Sequence, residues 1–136
     1  MKRRSLLAFL FCPAVARAHS YKVGAISIGH AWAMATSAAE TSAMTPFLNN
    51  GAVDDSLVGA RCDLAQSVEL RDGQTVVSEF LLEPNKPFPM RAAAKHLQLL
   101  GLKRALSKGD VISMTLIFKS AGEAKIELHV NNHAGE

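Results

Sequence analysis

The sequence predicts an all-β Greek-key sandwich. Two observations carry that expectation: apolar and polar residues alternate with a period of two along several short segments, and turn signals recur every eight to twelve residues. At 136 residues with 49% hydrophobic and 20% charged, the chain can bury the core that one such domain needs.

Taken in order, Val23, Ala25, Ile26 and Ile28 open a first strand. The small, polar run "ATSAAETSAMT" reads as a loop or a short helical turn, and Phe47-Leu48-Asn49-Asn50-Gly51 as a strand end entering a turn, because Asn and Gly tolerate positive φ. Ser56 to Ala60, Ser67 to Arg71 and Thr75 to Leu82 are further strands, the last two joined by a hairpin turn at Asp72-Gly73. "EPNKPFP" carries three prolines, which excludes a central strand or a helix interior, so it is a connection followed by the brief "MRAAA". His96 to Leu100 is the next strand. Ser107-Lys108-Gly109-Asp110 turns the chain, and Val111 to Phe118 pairs back. The last strand, Ala124 to Val130, alternates Ile126, Leu128 and Val130 against Lys125, Glu127 and His129. No internal repeat or low-complexity stretch interrupts the pattern.

Residues 1–18 read as a Sec-type signal peptide: Lys2, Arg3 and Arg4 precede the apolar run Leu6 to Phe11, and Ala16-Arg17-Ala18 is an A-x-A cleavage site. Residues 19–136 are then a single exported domain, a periplasmic monomer with no transmembrane segment. Cys12 lies at the end of the apolar run behind Phe11, a large residue where lipid attachment needs a small one, so it reads as part of the signal, with lipidation as the alternative. Cleavage after Ala18 removes four of 15 Lys and Arg and none of 12 Asp and Glu, which leaves 11 against 12 and a net charge near −1. A nucleic-acid partner would need a clustered basic face, and Lys103, Arg104 and Lys108 read as solvated surface at a turn. Cys62 is the one cysteine of the mature chain, so no internal disulfide forms and Cys62 is either a small buried hydrophobe or a free thiol.

Four stretches, "IGHAWAMAT", "FLNNGAVDDSLVGA", "SVELRD" and "HLQLLGLKRALSKGDVISMTLIFKSAGEAKIELHV", follow in order the pattern of the periplasmic copper chaperones of the PCu(A)C family, from about Ile26 to Val130. The resemblance implies a cupredoxin-like sandwich that carries Cu(I) to the copper centres of respiratory oxidases, with a copper-accepting oxidase subunit or another copper chaperone as partner. It also implies four copper ligands, of which this chain keeps one. The first histidine falls on Arg71, a permanent cation that cannot ligate a metal. The hairpin methionine is deleted, Met90 aligning outside the motif. Of the His-x-Met pair, His96 remains and the methionine is Gln98, whose amide oxygen is hard where Cu(I) prefers a soft thioether. The chain thus reads as a divergent member with a degenerate or reorganised site.

Alternation places His96 and Gln98 on one face of their strand and Leu97 and Leu99 in the core. His96 is then either a working metal ligand or an exposed or hydrogen-bonded polar residue left from an ancestral site. His30 beside Trp32 reads as structure or surface, Met34 and Met44 as packing residues flanking a loop, Met114 as core, and His129 and His133 as an outward strand residue and a tail residue. Cleavage after Ala18 would expose His19 as an N-terminal residue, whose amine and ring nitrogen make a bidentate copper chelate.

Three function classes follow: a copper-binding or copper-delivering protein with a reorganised site, a metal-free envelope binding or scaffold module of the same fold, and a copper protein using His19. Hydrolytic catalysis has no foothold, since the sequence offers no Ser-His-Asp, Cys-His or paired-carboxylate constellation.

Overall fold

The computed structural model describes residues 20–132; the signal-peptide assignment, Cys12, His19 and His133 lie outside them. The described residues form strands β1 (Tyr21–Val23), β2 (Ile26–Ile28), β3 (Ala31–Met34), β4 (Glu40–Met44), β5 (Phe47–Asn49), β6 (Asp55–Cys62), β7 (Ser67–Asp72), β8 (Thr75–Val77), β9 (Phe80–Leu82), β10 (Pro87–Phe88), β11 (Lys95–Leu100), β12 (Val111–Phe118) and β13 (Gly122–Asn131). The predicted all-β sandwich is what the chain forms.

Nine strands make one sheet in the order β8-β7-β11-β4-β3-β13-β12-β6-β9, and four make a second in the order β1-β2-β5-β10. β6 and β7 stand near opposite ends of the large sheet, yet the short turn between Cys62 and Ser67 brings them back into contact. The sheet therefore folds over on itself and encloses a core of Leu57, Leu97, Leu99, Leu116 and Leu128, all fully buried. Phenylalanines tie the small sheet to this body: Phe47 of β5 meets Phe118 edge-on at 5.4 Å, and Phe88 of β10 lies 5.2 Å from Phe80. Such ring geometries add to the gain from area burial alone. Asp55 fastens the end of β12, accepting hydrogen bonds from the backbone N–H groups of Ser120 at 2.8 Å and Ala121 at 3.0 Å.

Several expectations are corrected. The first strand is a hairpin, β1 and β2 turning at Gly24, whose φ of +54° lies in the left-handed region that glycine enters without penalty. "ATSAAETSAMT" contains β4, a strand built from small residues that pairs with both β3 and β11. Thr75 to Leu82 splits into β8 and β9, which end up on opposite edges of the large sheet. The connection "EPNKPFP" holds β10, an edge strand, where a proline's missing N–H does no harm. β12 does not pair back on β11: β11 lies between β7 and β4, whereas β12 lies between β13 and β6. The turn after β11 crosses between layers of the sandwich instead of closing a hairpin.

Candidate metal site

The candidate site lies on the outer face of β11, beside the β7–β8 hairpin. That hairpin closes through Gly73, held at φ +63°, so Asp72 faces Thr75 across a two-residue loop. Register sets His96 opposite Arg71, and Gln98 between Glu69 of β7 and Ser42 of β4. Residues directly opposite in a sheet point to the same side, so these five side chains share one surface. With Glu40, Gly73, Gln74, Ala92 and Ala93, four of them (Ser42, Arg71, His96 and Gln98) line a groove of about 480 Å³.

Alternation along β11 is as predicted, since Leu97 and Leu99 point into the core. The exposure of the other face is not. His96 is only 3% exposed and Gln98 9%, because β11 is flanked by β7 and β4 and the "MRAAA" segment folds over it. Arg91 N–H donates to the carbonyl of Lys95, Ala94 N–H to that of Arg91, and Gly73 N–H to that of Ala94, pinning this cover to both β11 and the hairpin.

Burial obliges the polar groups to find partners, and they form one network. His96 Nδ1 donates to the carbonyl of Ala94 at 2.8 Å, and Nε2 lies 3.1 Å from Gln98 Oε1. The Gln98 oxygen accepts from the Ser42 hydroxyl at 3.1 Å, while its amide nitrogen donates to Glu40 Oε1 at 2.8 Å. Arg71 grips Glu69 Oε1 through Nε at 3.0 Å and Nη2 at 2.8 Å. The guanidinium is thus neutralised by a carboxylate on its own strand and stands across from the imidazole.

Chemically, this surface offers one imidazole, an amide oxygen, the Ser42 hydroxyl and the carboxylates of Glu40 and Glu69, the latter held by Arg71. Neither a thioether nor a thiolate lines the groove. Among the described residues no group of three or more His, Cys, Asp or Glu converges as a metal cluster. The donors present are hard or borderline, which fits Cu(I) poorly and leaves His96 as the one nitrogen that could bind it.

Sequence reasoning found His96, Gln98 and Arg71 but missed Glu40 and Ser42, which lie in the run read as a loop. The signal was present and weak: in Glu40–Met44, Thr41 and Ala43 are buried and alternate with less buried Glu40 and Ser42. The other candidates lie elsewhere. Met114 is core, and Met44, the last residue of β4, is buried as a packing residue. Cys62 is buried, and that burial pushes its thiol up from the ordinary value, as a packing residue and not a reactive one. Arg104 binds Asp110 at 3.0 Å. His30 and His129 come together on a different part of the sheet, their ring centroids 5.2 Å apart.

Comparison with known proteins fits this picture. The model of the family described as "Putative lipoprotein LpqE-like" matches residues 26–130. The chain belongs to the LpqE-like family. A curated relative, the putative lipoprotein Lxx21020 of Leifsonia xyli subsp. xyli, is 25% identical over 132 residues, which span 90% of this chain and 80% of the relative. Among solved structures, the apo PCuAC domain from PmoF1 is 27% identical with a TM-score of 0.79, over 85% of this chain and 100% of that domain. The copper-bound PCuAC domain from PmoF2 is 26% identical with a TM-score of 0.79, over 85% of this chain and 99% of that domain. The solution structure of the Cu(I) form of DR1885 from Deinococcus radiodurans, 23% identical with a TM-score of 0.70 over 86% of this chain and 83% of that one, shares the fold. The LpqE-like chain is therefore a PCuAC-type sandwich, as its sequence resemblance implied. Among its described residues no helix is long and apolar enough to cross a membrane.

Proposed function

We propose that this protein is an exported, non-enzymatic copper-handling protein whose cargo site has diverged to a groove with His96 as its one nitrogen donor. The observation that supports it most is a buried histidine, poised at the edge of an open groove, in a chain that matches a copper-bound PCuAC domain over 85% of its length. His96 Nδ1 is anchored on a backbone carbonyl, which turns Nε2 toward Gln98 Oε1, both residues lining the groove. A carbonyl that accepts from one ring nitrogen in this way fixes the orientation and tautomer of an imidazole that binds metal through the other. Copper binding there displaces Gln98 Oε1 from Nε2 and brings the cation beside Arg71, so affinity for Cu(I) is lower than a site with thioethers and no guanidinium would reach. Cu(I) is the cargo, and a copper-accepting oxidase subunit or another copper chaperone in the periplasm is the recipient. A weakly held ion is also one that passes easily to such a recipient.

Competition against a Cu(I) chelator tests this on the mature protein. The expected result is weak uptake of one equivalent that His96→Ala abolishes. Tight one-to-one binding that survives His96→Ala would place the site elsewhere. A second reading, a metal-free envelope binding module, is supported by the buried, Ala94-bound ring of His96 and by Arg71, and it predicts no Cu(I) uptake at all.

A further inference from the structure

The hydrogen bonds around Gln98 fix which end of its amide faces His96. Glu40 stands two residues before Ser42 on β4 and so shares its face, beside Gln98. An ionised carboxylate can only accept. The atom of Gln98 that meets Glu40 Oε1 at 2.8 Å is therefore the amide nitrogen, and the amide oxygen is turned to the imidazole, 3.1 Å from Nε2. Ser42 agrees with this orientation by donating its hydroxyl to the same oxygen, but it does not impose it, since a hydroxyl can turn and accept instead. Glu40 decides.

The imidazole is constrained from its other side. A carbonyl carries no proton, so Nδ1 supplies the hydrogen of the bond to Ala94, and a neutral ring then presents a lone pair at Nε2. Two acceptors thus face each other across 3.1 Å between two buried residues. Arg71 does not relieve them: it lies opposite His96 in register, yet its hydrogen bonds go to Glu69 through Nε and Nη2. Turning the amide end for end would repair the contact, because its nitrogen would then donate to the ring and to Ser42. That turn would set an amide oxygen against the carboxylate of Glu40. One exposed side chain therefore keeps unsatisfied a buried contact that a simple rotation would satisfy. Buried polar groups are ordinarily paired, and departures from that rule gather at sites with a task.

We propose that Glu40 is the positioning residue of the groove: by holding the amide nitrogen of Gln98 it keeps a hydrogen-bond donor away from His96 Nε2 and so reserves that lone pair for a cation. Positive charge is what two facing lone pairs attract. An incoming ion then has to move only an oxygen that makes no hydrogen bond to the ring, which costs less than breaking an N–H···N bond. The identity of the cation as Cu(I) rests on the reading of the groove as a copper site; the orientation of the amide does not.

Nitrogen NMR of the mature protein labelled at histidine tests this at about pH 8.5, roughly two units above the ordinary histidine value of about 6.5, where the ring is neutral. The His96 signals are those missing from His96→Ala. In the parent, His96 Nε2 is expected to resonate as a bare, unprotonated nitrogen. In Glu40→Ala nothing holds the amide, and in Glu40→Lys a side chain that can only donate draws its oxygen, so in both Gln98 turns and Nε2 is expected to move upfield as it accepts a hydrogen bond. Glu40 is exposed, so both variants are expected to fold. Cu(I) uptake by Glu40→Ala is expected to weaken about tenfold. An Nε2 signal that is the same in parent and variants would overturn the proposal whatever copper does, and would leave Glu40 as a surface charge. Undiminished uptake despite a moved signal would overturn it too, by showing that the orientation has no bearing on the cation. A signal that moves as expected in a protein whose parent form takes up no Cu(I) supports the positioning role and overturns the copper reading of the groove instead.

Discussion

His96 carries two consequences at the scale of single residues. Because the ring is buried and its Nδ1 donates to the Ala94 carbonyl, His96→Ala is expected to cost about 1–3 kcal/mol, the range for orphaning a buried hydrogen-bond partner. Chemical denaturation measures this, and an unchanged midpoint would show the ring to be dispensable to the fold. Copper uptake by that variant therefore has to be compared at matched folded fraction. The second consequence concerns the donors beside it. Gln98→Met restores a soft thioether on the face of His96, and Arg71→His replaces a cation with a second imidazole directly opposite. The double variant is expected to bind Cu(I) at least tenfold more tightly than the parent in chelator competition, with each single change contributing; no gain would mean the groove is not the copper site. The sequence showed which residues occupy the ligand positions, since that needs only spacing. It did not show that their face is covered, because the cover comes from "MRAAA", a segment distant from the strand's alternation and held by backbone hydrogen bonds that leave no side-chain pattern.

Among elements, β12 and β13 were readable residue by residue: Ile112, Met114 and Leu116 alternate with exposed or half-exposed residues, as do Ile126, Leu128 and Val130. Their side chains are large, and burial of large apolar groups imposes a strict period of two. β4 was unreadable for the opposite reason. Its Thr, Ser and Ala contribute little hydrophobic signal, and the strand exists because β3 and β11 need a partner between them. Partner choice was equally hidden, since adjacency in sequence suggested β11 with β12 and only the closed sandwich separates them. The β7–β8 hairpin that walls the groove depends on Gly73 at φ +63°. Gly73→Ala places a Cβ in left-handed backbone and is expected to destabilise the protein by about 1–2 kcal/mol, although nothing crowds that position. A thermal melt no different from the parent would show that the hairpin relaxes into another turn.

For the molecule as a whole, stability rests on the leucine core and on a few anchored carboxylates. Leu97, fully buried directly behind His96, is a sensitive point: Leu97→Ala should cost about 2–5 kcal/mol through lost transfer energy and a residual cavity. Acid should act on the surface. The carboxyl of Asp110 is held below its ordinary value by the Ser107 N–H and by Arg104, and that of Glu123 by Arg61. A carboxyl whose pKa is lower folded than unfolded stabilises the fold above its unfolded value and loses that contribution as pH falls through the folded one. The urea midpoint should therefore be flat near neutrality and decline below about pH 4, by a modest amount because both pairs are solvent-exposed.

The measurement that tests the central claim most directly follows the His96 ring protons by NMR while Cu(I) is added to the mature protein under anaerobic conditions. A diverged copper site in the groove predicts that the His96 signals shift and saturate at one equivalent, with weak affinity, and that His96→Ala removes the uptake. Cu(I) that binds without moving the His96 signals, or that leaves the protein unchanged at millimolar excess, would contradict it.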